Sequence, residues 1–165
     1  MKTKAFITAI FLIGFLSQSC SKDSTPSIDK EVNSVLLLDD IKSIEIEILE
    51  LINSHRITKN LEALQVDELI RTQTNNHTNY MIKQQSASHD YFFQRKEFLE
   101  TYAEAIQVSE NVAAGYTNAQ SVVRAWLNSP SHKSNIEDDH SHFNVSANKD
   151  SEGKWYFTNI FIKAN

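Results

Sequence analysis

The side chains of this sequence with the widest chemical repertoire are its histidines and a few carboxylates. His89 follows Ser88. His132 sits in the run Trp126-Leu-Asn-Ser-Pro-Ser-His-Lys-Ser-Asn-Ile136. His140 and His142 belong to the acidic stretch Glu137-Asp-Asp-His-Ser-His142. Glu110 stands in Ser109-Glu-Asn-Val-Ala-Ala-Gly115, a polar pair running into small apolar residues. Imidazoles change charge near neutral pH, and beside a carboxylate they can move a proton or hold a metal ion. A carboxylate ahead of a buried-looking stretch needs a partner, because an unpaired buried charge is costly. The acidic setting of His140 and His142 reads as a solvated loop. His55 and His77 read as packing residues on helices, and Trp126 and Trp155 as core. Asn111, Ser129 and Asn135 read as residues that cap or brace loops.

Other chemistries are excluded by what the chain lacks. Of its three glycines, Gly14 lies in an apolar N-terminal run, which leaves only Gly115 and Gly153. Neither a P-loop nor a dinucleotide fingerprint can be built from them. A single Cys excludes a disulfide framework and a Cys-based zinc site. There is no H-E-x-x-H, no G-x-S-x-G and no Cys–His nucleophile pattern. Ser27-Ile-Asp-Lys30 matches S-x-x-K, but its S-D-N and K-T-G partners are missing, so the match is chance. The formal charge of −5 argues against nucleic acid as a partner, since phosphate neutralisation needs a basic face.

The elements that must position these residues follow from periodicity. Ile41, Ile44, Ile48, Leu51, Ile52 and His55 recur at helical spacing and predict an amphipathic helix to about Lys59, with Glu45, Glu47 and Glu50 on its outer face. Asn60 stands where a left-handed cap would end it. Asp67 is placed to cap a second helix running to about Gln84, with Ile70, Thr74, His77 and Met81 inward. Phe98, Leu99, Tyr102 and Ile106 predict a third, shorter helix. Val122, Val123 and Trp126 predict a fourth, opened by Thr117 or Asn118 and closed at Pro130. The period then changes. Phe143, Val145 and Ala147 alternate as a strand, Asp150 to Gly153 is a turn, and Trp155 to Ile162 is a strand apolar on both faces. A strand of that kind is covered on both faces. The expected fold class is α+β, a three-layer α-β-α sandwich around a small antiparallel sheet.

The N-terminus is a separate unit. A basic Met1-Lys-Thr-Lys4 precedes an apolar run from Ala5 to Leu16, the size of a signal-peptide core and too short for an ordinary membrane span. Ser17-Gln-Ser-Cys20 follows and resembles a bacterial lipobox, although Ser17 and Gln18 depart from its usual residues. The expectation is a signal of residues 1–19, a lipid on Cys20, a tether over 20–40 and one domain over 41–163. Removing residues 1–19 takes away two lysines and leaves a charge of about −7, so the lipid and not basic contacts would hold the chain to its membrane. The expected location is the cell envelope, at an outer membrane or cell surface, with secretion as the alternative.

Seven motifs in order now carry a family resemblance. They are Ile48-Leu-Glu-Leu-Ile-Asn-Ser-His-Arg56; Leu61, Leu64 and Asp67; His77 and Met81; Ser88-His89; Glu110-Asn-Val-Ala-Ala-Gly115; Trp126 to His132 with Asn135-Ile136; and Tyr156-Phe-Thr-Asn-Ile-Phe161. Together they resemble the CAP superfamily of cysteine-rich secretory, antigen 5 and pathogenesis-related proteins, in its cysteine-poor bacterial branch. The resemblance implies an α-β-α sandwich and a cleft lined in many members by two His and two Glu. By that resemblance His89, Glu110 and His132 line the cleft with Asn111 and Ser129, while the second Glu falls near Ser129, where there is no carboxylate. Asn60, Ser109, Ser131, Asn144 and Ser146 replace or flank positions that are glycine in the family.

Two imidazoles and one carboxylate are a workable zinc set that leaves a place for water, so metal-assisted hydrolysis is chemically open at His89, Glu110 and His132. The bland alternative is a structural polar network that orders the cleft. The leading expectation is an envelope-anchored module that binds a lipid-like, cell-wall or protein ligand. A metal-dependent hydrolase using the same cleft is the alternative.

Overall fold

The structure is a computed structural model that describes residues 42–164. The predicted signal, Cys20, the tether and Ile41 lie outside the described residues. The described elements, in order, are α1 (Ser43–Thr58), β1 (Gln65–Val66), α2 (Glu68–Gln84), α3 (Phe92–Tyr102), β2 (Ala105–Ala114), α4 (Ala119–Asn128), α5 (Pro130–Glu137), β3 (His142–Lys149) and β4 (Trp155–Ala164). Among the described residues no helix is long and apolar enough to cross a membrane.

The four strands lie in the order β1-β3-β4-β2. β4 runs antiparallel to both its neighbours, while β1 pairs parallel to β3 through Gln65 with His142 and Val66 with Phe143. The sheet is therefore mixed, where a purely antiparallel one was expected. A two-residue strand is too short to show an alternation. Helices cover both faces. On one, α1 and α4 pack Ile48, Ile52, Val122 and Trp126 against Phe143, Phe157 and Phe161. On the other, α2 and α3 set Ile70 and Leu99 against Ile160 and Ile162. This is the α-β-α sandwich, and β4 is apolar on both sides because it is covered on both.

Helix ends follow their local chemistry. Asn60 takes the left-handed conformation at φ 60°. Its N–H donates to Ile57 O and that of Leu61 to Arg56 O, both at 3.0 Å, which closes α1 in a Schellman motif. Asp67 caps α2 by accepting from Ile70 N at 3.0 Å. Asn118, rather than Thr117, caps α4 by accepting from Ser121 N at 2.8 Å. The α2 stripe of Ile70, Thr74, His77 and Met81 is buried as expected.

Several expectations are corrected. Glu45 is buried, because β1 leaves much of one edge of β3 unpaired; its Oε1 accepts from Ala147 N at 2.8 Å. Ile106 belongs to β2, not to a helix. A register shift between Ala105 and Gln107 breaks the alternation that would have announced that strand. Pro130 closes α4 and also opens α5, at the first helical turn, where its missing N–H costs nothing. His132 is thus on a helix.

Candidate functional site

β2 is one edge of the sheet, and the loop after α2, helix α3 and helix α5 converge on it. Glu110 is 5% exposed. Arg95, buried on α3, clamps it with a two-pronged contact: Nε donates to Oε2 and Nη2 to Oε1, both at 2.8 Å. Such a fork is the strongest pairing available to a carboxylate. His89 Nδ1 lies 2.8 Å from the same Oε1. An ionised carboxylate only accepts, so Nδ1 carries a proton, and in the neutral ring Nε2 keeps a free lone pair. The His89 side chain is 52% exposed, so its free nitrogen reaches solvent. Burial lowers the Arg95 pKa, and Glu110 opposes that shift.

The loop that presents His89 is braced from beneath. His77 is buried, and its Nε2 donates to Ser88 O at 2.7 Å. Burial pushes the His77 pKa below its ordinary value. Its role is wider than packing. His55 likewise pairs with Glu137, Nε2 to Oε1 at 2.7 Å, and links α1 to α5.

On the other side of the strand, Asn111 Nδ2 donates to His132 O at 3.0 Å. Asn135 Nδ2 stands 2.8 Å from Asn111 Oδ1 and 3.2 Å from Glu110 O. These amides take the place of a neighbouring strand and stitch α5 to the sheet edge. The His132 ring is half-buried; burial lowers its pKa, and the nearby charge of His89 lowers it further. His89, Phe92, Val108, Ser109, Glu110 and Asn135 line a cavity of about 280 Å³. Of the expected cleft residues, Asn111, Ser129 and His132 are not in that lining. Ser129 stands at the α4–α5 junction with its hydroxyl 3.3 Å from that of Ser131.

Arg95 and His140 hold positions that the sequence does not announce. Arg95 was missed, although the need of Glu110 for a partner pointed to a buried cation. His140 is not in a solvated loop: it is 5% exposed, stacks on Phe161 at 5.7 Å and places Nε2 3.0 Å from Ser109 Oγ. Burial pushes its pKa down to about 4. Its Nδ1 has no partner, so Nε2 carries the proton and donates to Ser109, since an orphaned buried N–H would cost more than a lone pair. His142 is half-buried at the start of β3, with Nδ1 2.9 Å from Ser141 Oγ.

The donor set does not match three-ligand zinc chemistry. Both oxygens of Glu110 face the Arg95 guanidinium, and a cation there would meet a fixed positive charge. Among the described residues no three His, Cys, Asp or Glu side chains converge as a ligand set. Glu110 instead orients the His89 ring.

The three-layer α-β-α sandwich is the architecture shared with CAP-type domains. The profile of the Cysteine-rich secretory protein family matches residues 49–161, and the chain belongs to this family. A Bacillus subtilis relative, the uncharacterized protein YkwD, is 27% identical over 125 residues, covering 72% of this chain and 48% of the relative. The chain thus spans about half the length of that protein. An outer surface protein of Borrelia burgdorferi superposes with a TM-score of 0.69 at 24% identity, over 76% of this chain and 96% of that one. An extracellular protein of Bacillus anthracis containing an SCP domain gives 0.63 at 23%, over 72% and 40%. A cysteine-rich secretory protein of Staphylococcus aureus gives 0.58 at 16%, over 72% and 38%. These structural likenesses establish the shared fold.

Proposed function

We propose that this CAP-domain protein is a surface-exposed binding module, held to the envelope by a lipid on Cys20, with its ligand in the cleft of His89, Glu110 and His132. The observation that carries this reading is the double engagement of Glu110. The Arg95 fork neutralises and fixes the carboxylate, and the carboxylate in turn fixes the His89 ring with its Nε2 lone pair outward. A preorganised acceptor beside the apolar walls Phe92 and Val108 suits an amphipathic ligand that offers an O–H or N–H. His132 lies near enough to His89 for the two rings to interact electrostatically, and burial lowers its pKa. Hydrolysis through zinc is the weaker reading, because Glu110 is already paired with a cation. The surface and extracellular proteins that share the fold support the location, as does the lipobox-like Ser17-Gln-Ser-Cys20.

Native mass spectrometry of the protein purified from its own envelope tests both parts. The expected result is a lipid mass on Cys20 and a bound small molecule that is lost in His89→Ala. An unmodified Cys20 in the membrane fraction refutes the anchor. A ligand-free wild type, or a ligand retained by His89→Ala, refutes the cleft.

A further inference from the structure

Beside the cleft, on the other side of Arg95, α2 and α3 enclose a second cavity of about 290 Å³. Its lining includes Tyr80, Tyr91 and Phe98 together with the amides Gln73, Asn76 and Gln94. Tyr91 is unusual. It sits in the left-handed region at φ 60°, ψ 21°, just before the first residue of α3. A bulky side chain is strained there, and Gly or Asn is the ordinary occupant. Strain held in place by its surroundings points to use. Yet Tyr91 is 60% exposed, so the strain does not serve the core. It stands nearly perpendicular to Tyr80, at 5.3 Å and 85°. Tyr80 is itself fixed by a hydroxyl that donates to Asp90 Oδ2 at 2.9 Å and by stacking on His77. The side chains of Gln73, Asn76 and Gln94 make no hydrogen bond to the described residues.

We propose that this aromatic shelf binds a neutral saccharide, with the free face of Tyr91 stacking on the sugar ring and the three amides holding its hydroxyls. The chemistry selects that class. A planar amide both donates and accepts, as each hydroxyl of a sugar does. An exposed tyrosine offers a flat apolar face with a polar tip. The lining contains no carboxylate, Asp90 touches it only at the rim through the Tyr80 hydroxyl, and the charge of Arg95 is already matched by Glu110, so an anion finds no free counter-charge. A quaternary ammonium ion would use the rings alone and leave the amides idle. The shelf does not depend on what occupies the cleft.

Calorimetric titration of the full chain with chitotetraose and with maltotetraose tests the shelf. Saturable binding of at least one is expected. Tyr91→Gly is expected to weaken it by at least about tenfold while the thermal midpoint holds or rises, because Gly adopts the left-handed conformation without strain. A ring needed only for folding would instead lower the midpoint. The proposal is overturned if neither sugar binds, if binding persists in Tyr91→Gly, or if choline and not sugar binds in a Tyr91-dependent way.

Discussion

The two faces of the central sheet are built from different materials. The face under α1 and α4 is built on the larger apolar cluster, with Phe143, Phe157, Phe161 and Trp126 in close packing and its buried polar groups, Glu45, Arg56, Asn111, His140 and Asn159, set around that cluster. The face under α2 and α3 has a small apolar cluster, and around it lie buried polar groups: Thr74, His77, Thr78, Arg95, Glu110, Asn144 and Thr158. The first face stabilises by area removed from water, which tolerates imprecision. The second must satisfy every polar atom in fixed geometry. That demand is also what makes it useful, since it holds a carboxylate and an imidazole at the cleft. The difference is one of proportion: the larger apolar cluster lies on one face, and the Arg95–Glu110–His89 group lies on the other.

The largest effect is expected where the polar face carries a full charge pair. Arg95→Met should lower stability by about 3–5 kcal/mol in urea melts at neutral pH, because it strands Glu110 as an unpaired buried charge. Adding Glu110→Leu should return most of the loss, as an apolar replacement of both partners is often neutral. A small loss in the single variant would mean that His89 and solvent suffice, and that the polar face is looser than its geometry.

Acid should act next, through the buried histidines. His140 titrates near pH 4 when folded, against an ordinary value of 6.5. It is faced by Asp138 and Asp139, which raise its pKa, and by Arg56 and Lys163, which lower it. Between those pH values the unfolded chain takes up a proton that the folded one does not. Stability therefore falls as pH drops from about 6.5 to about 4, by up to about 3 kcal/mol for this group, and its contribution is flat outside that window. His77 and His132, with lowered pKa values, act in the same direction. His140→Phe should reduce the slope of stability against pH. An unchanged slope would show that His140 is hydrated.

The smallest effect tests a neutral bond on the same face. Thr78 Oγ1 donates to Thr158 Oγ1 at 2.9 Å. Thr78→Val should cost about 1 kcal/mol by thermal melt, far less than the loss of Arg95. A cost as large as that of the charge pair would erase the distinction between the polar network and its charged centre.

Legibility from sequence followed the same division. Regular burial was readable at Ile48 and Ile52 of α1, at the cap of Asp67 and in the double-faced apolar run of β4, while Glu45, Leu49 and Arg56 of α1 are buried outside the expected stripe. Irregular positions were not. β2 lost its alternation at a register shift and at a polar edge bridged by Asn111 and Asn135. α5 hid behind Pro130, which closes one helix and opens another. Within the site, His89, Glu110 and His132 were named by family resemblance. Arg95 was not, because no local pattern ties it to a carboxylate fifteen residues away. His140 looked solvated because its neighbours in sequence are acidic, while its neighbour in space is Phe161.

By itself the sequence determined the class of fold, the sign of the surface charge and the residue types available for chemistry, because these depend on composition and on periodicity over a few turns. The tertiary structure alone decided the state of Glu110. Whether that carboxylate is a free ligand or half of an ion pair depends on which cation the chain folds against it, and only the packing of α3 on β2 sets that contact.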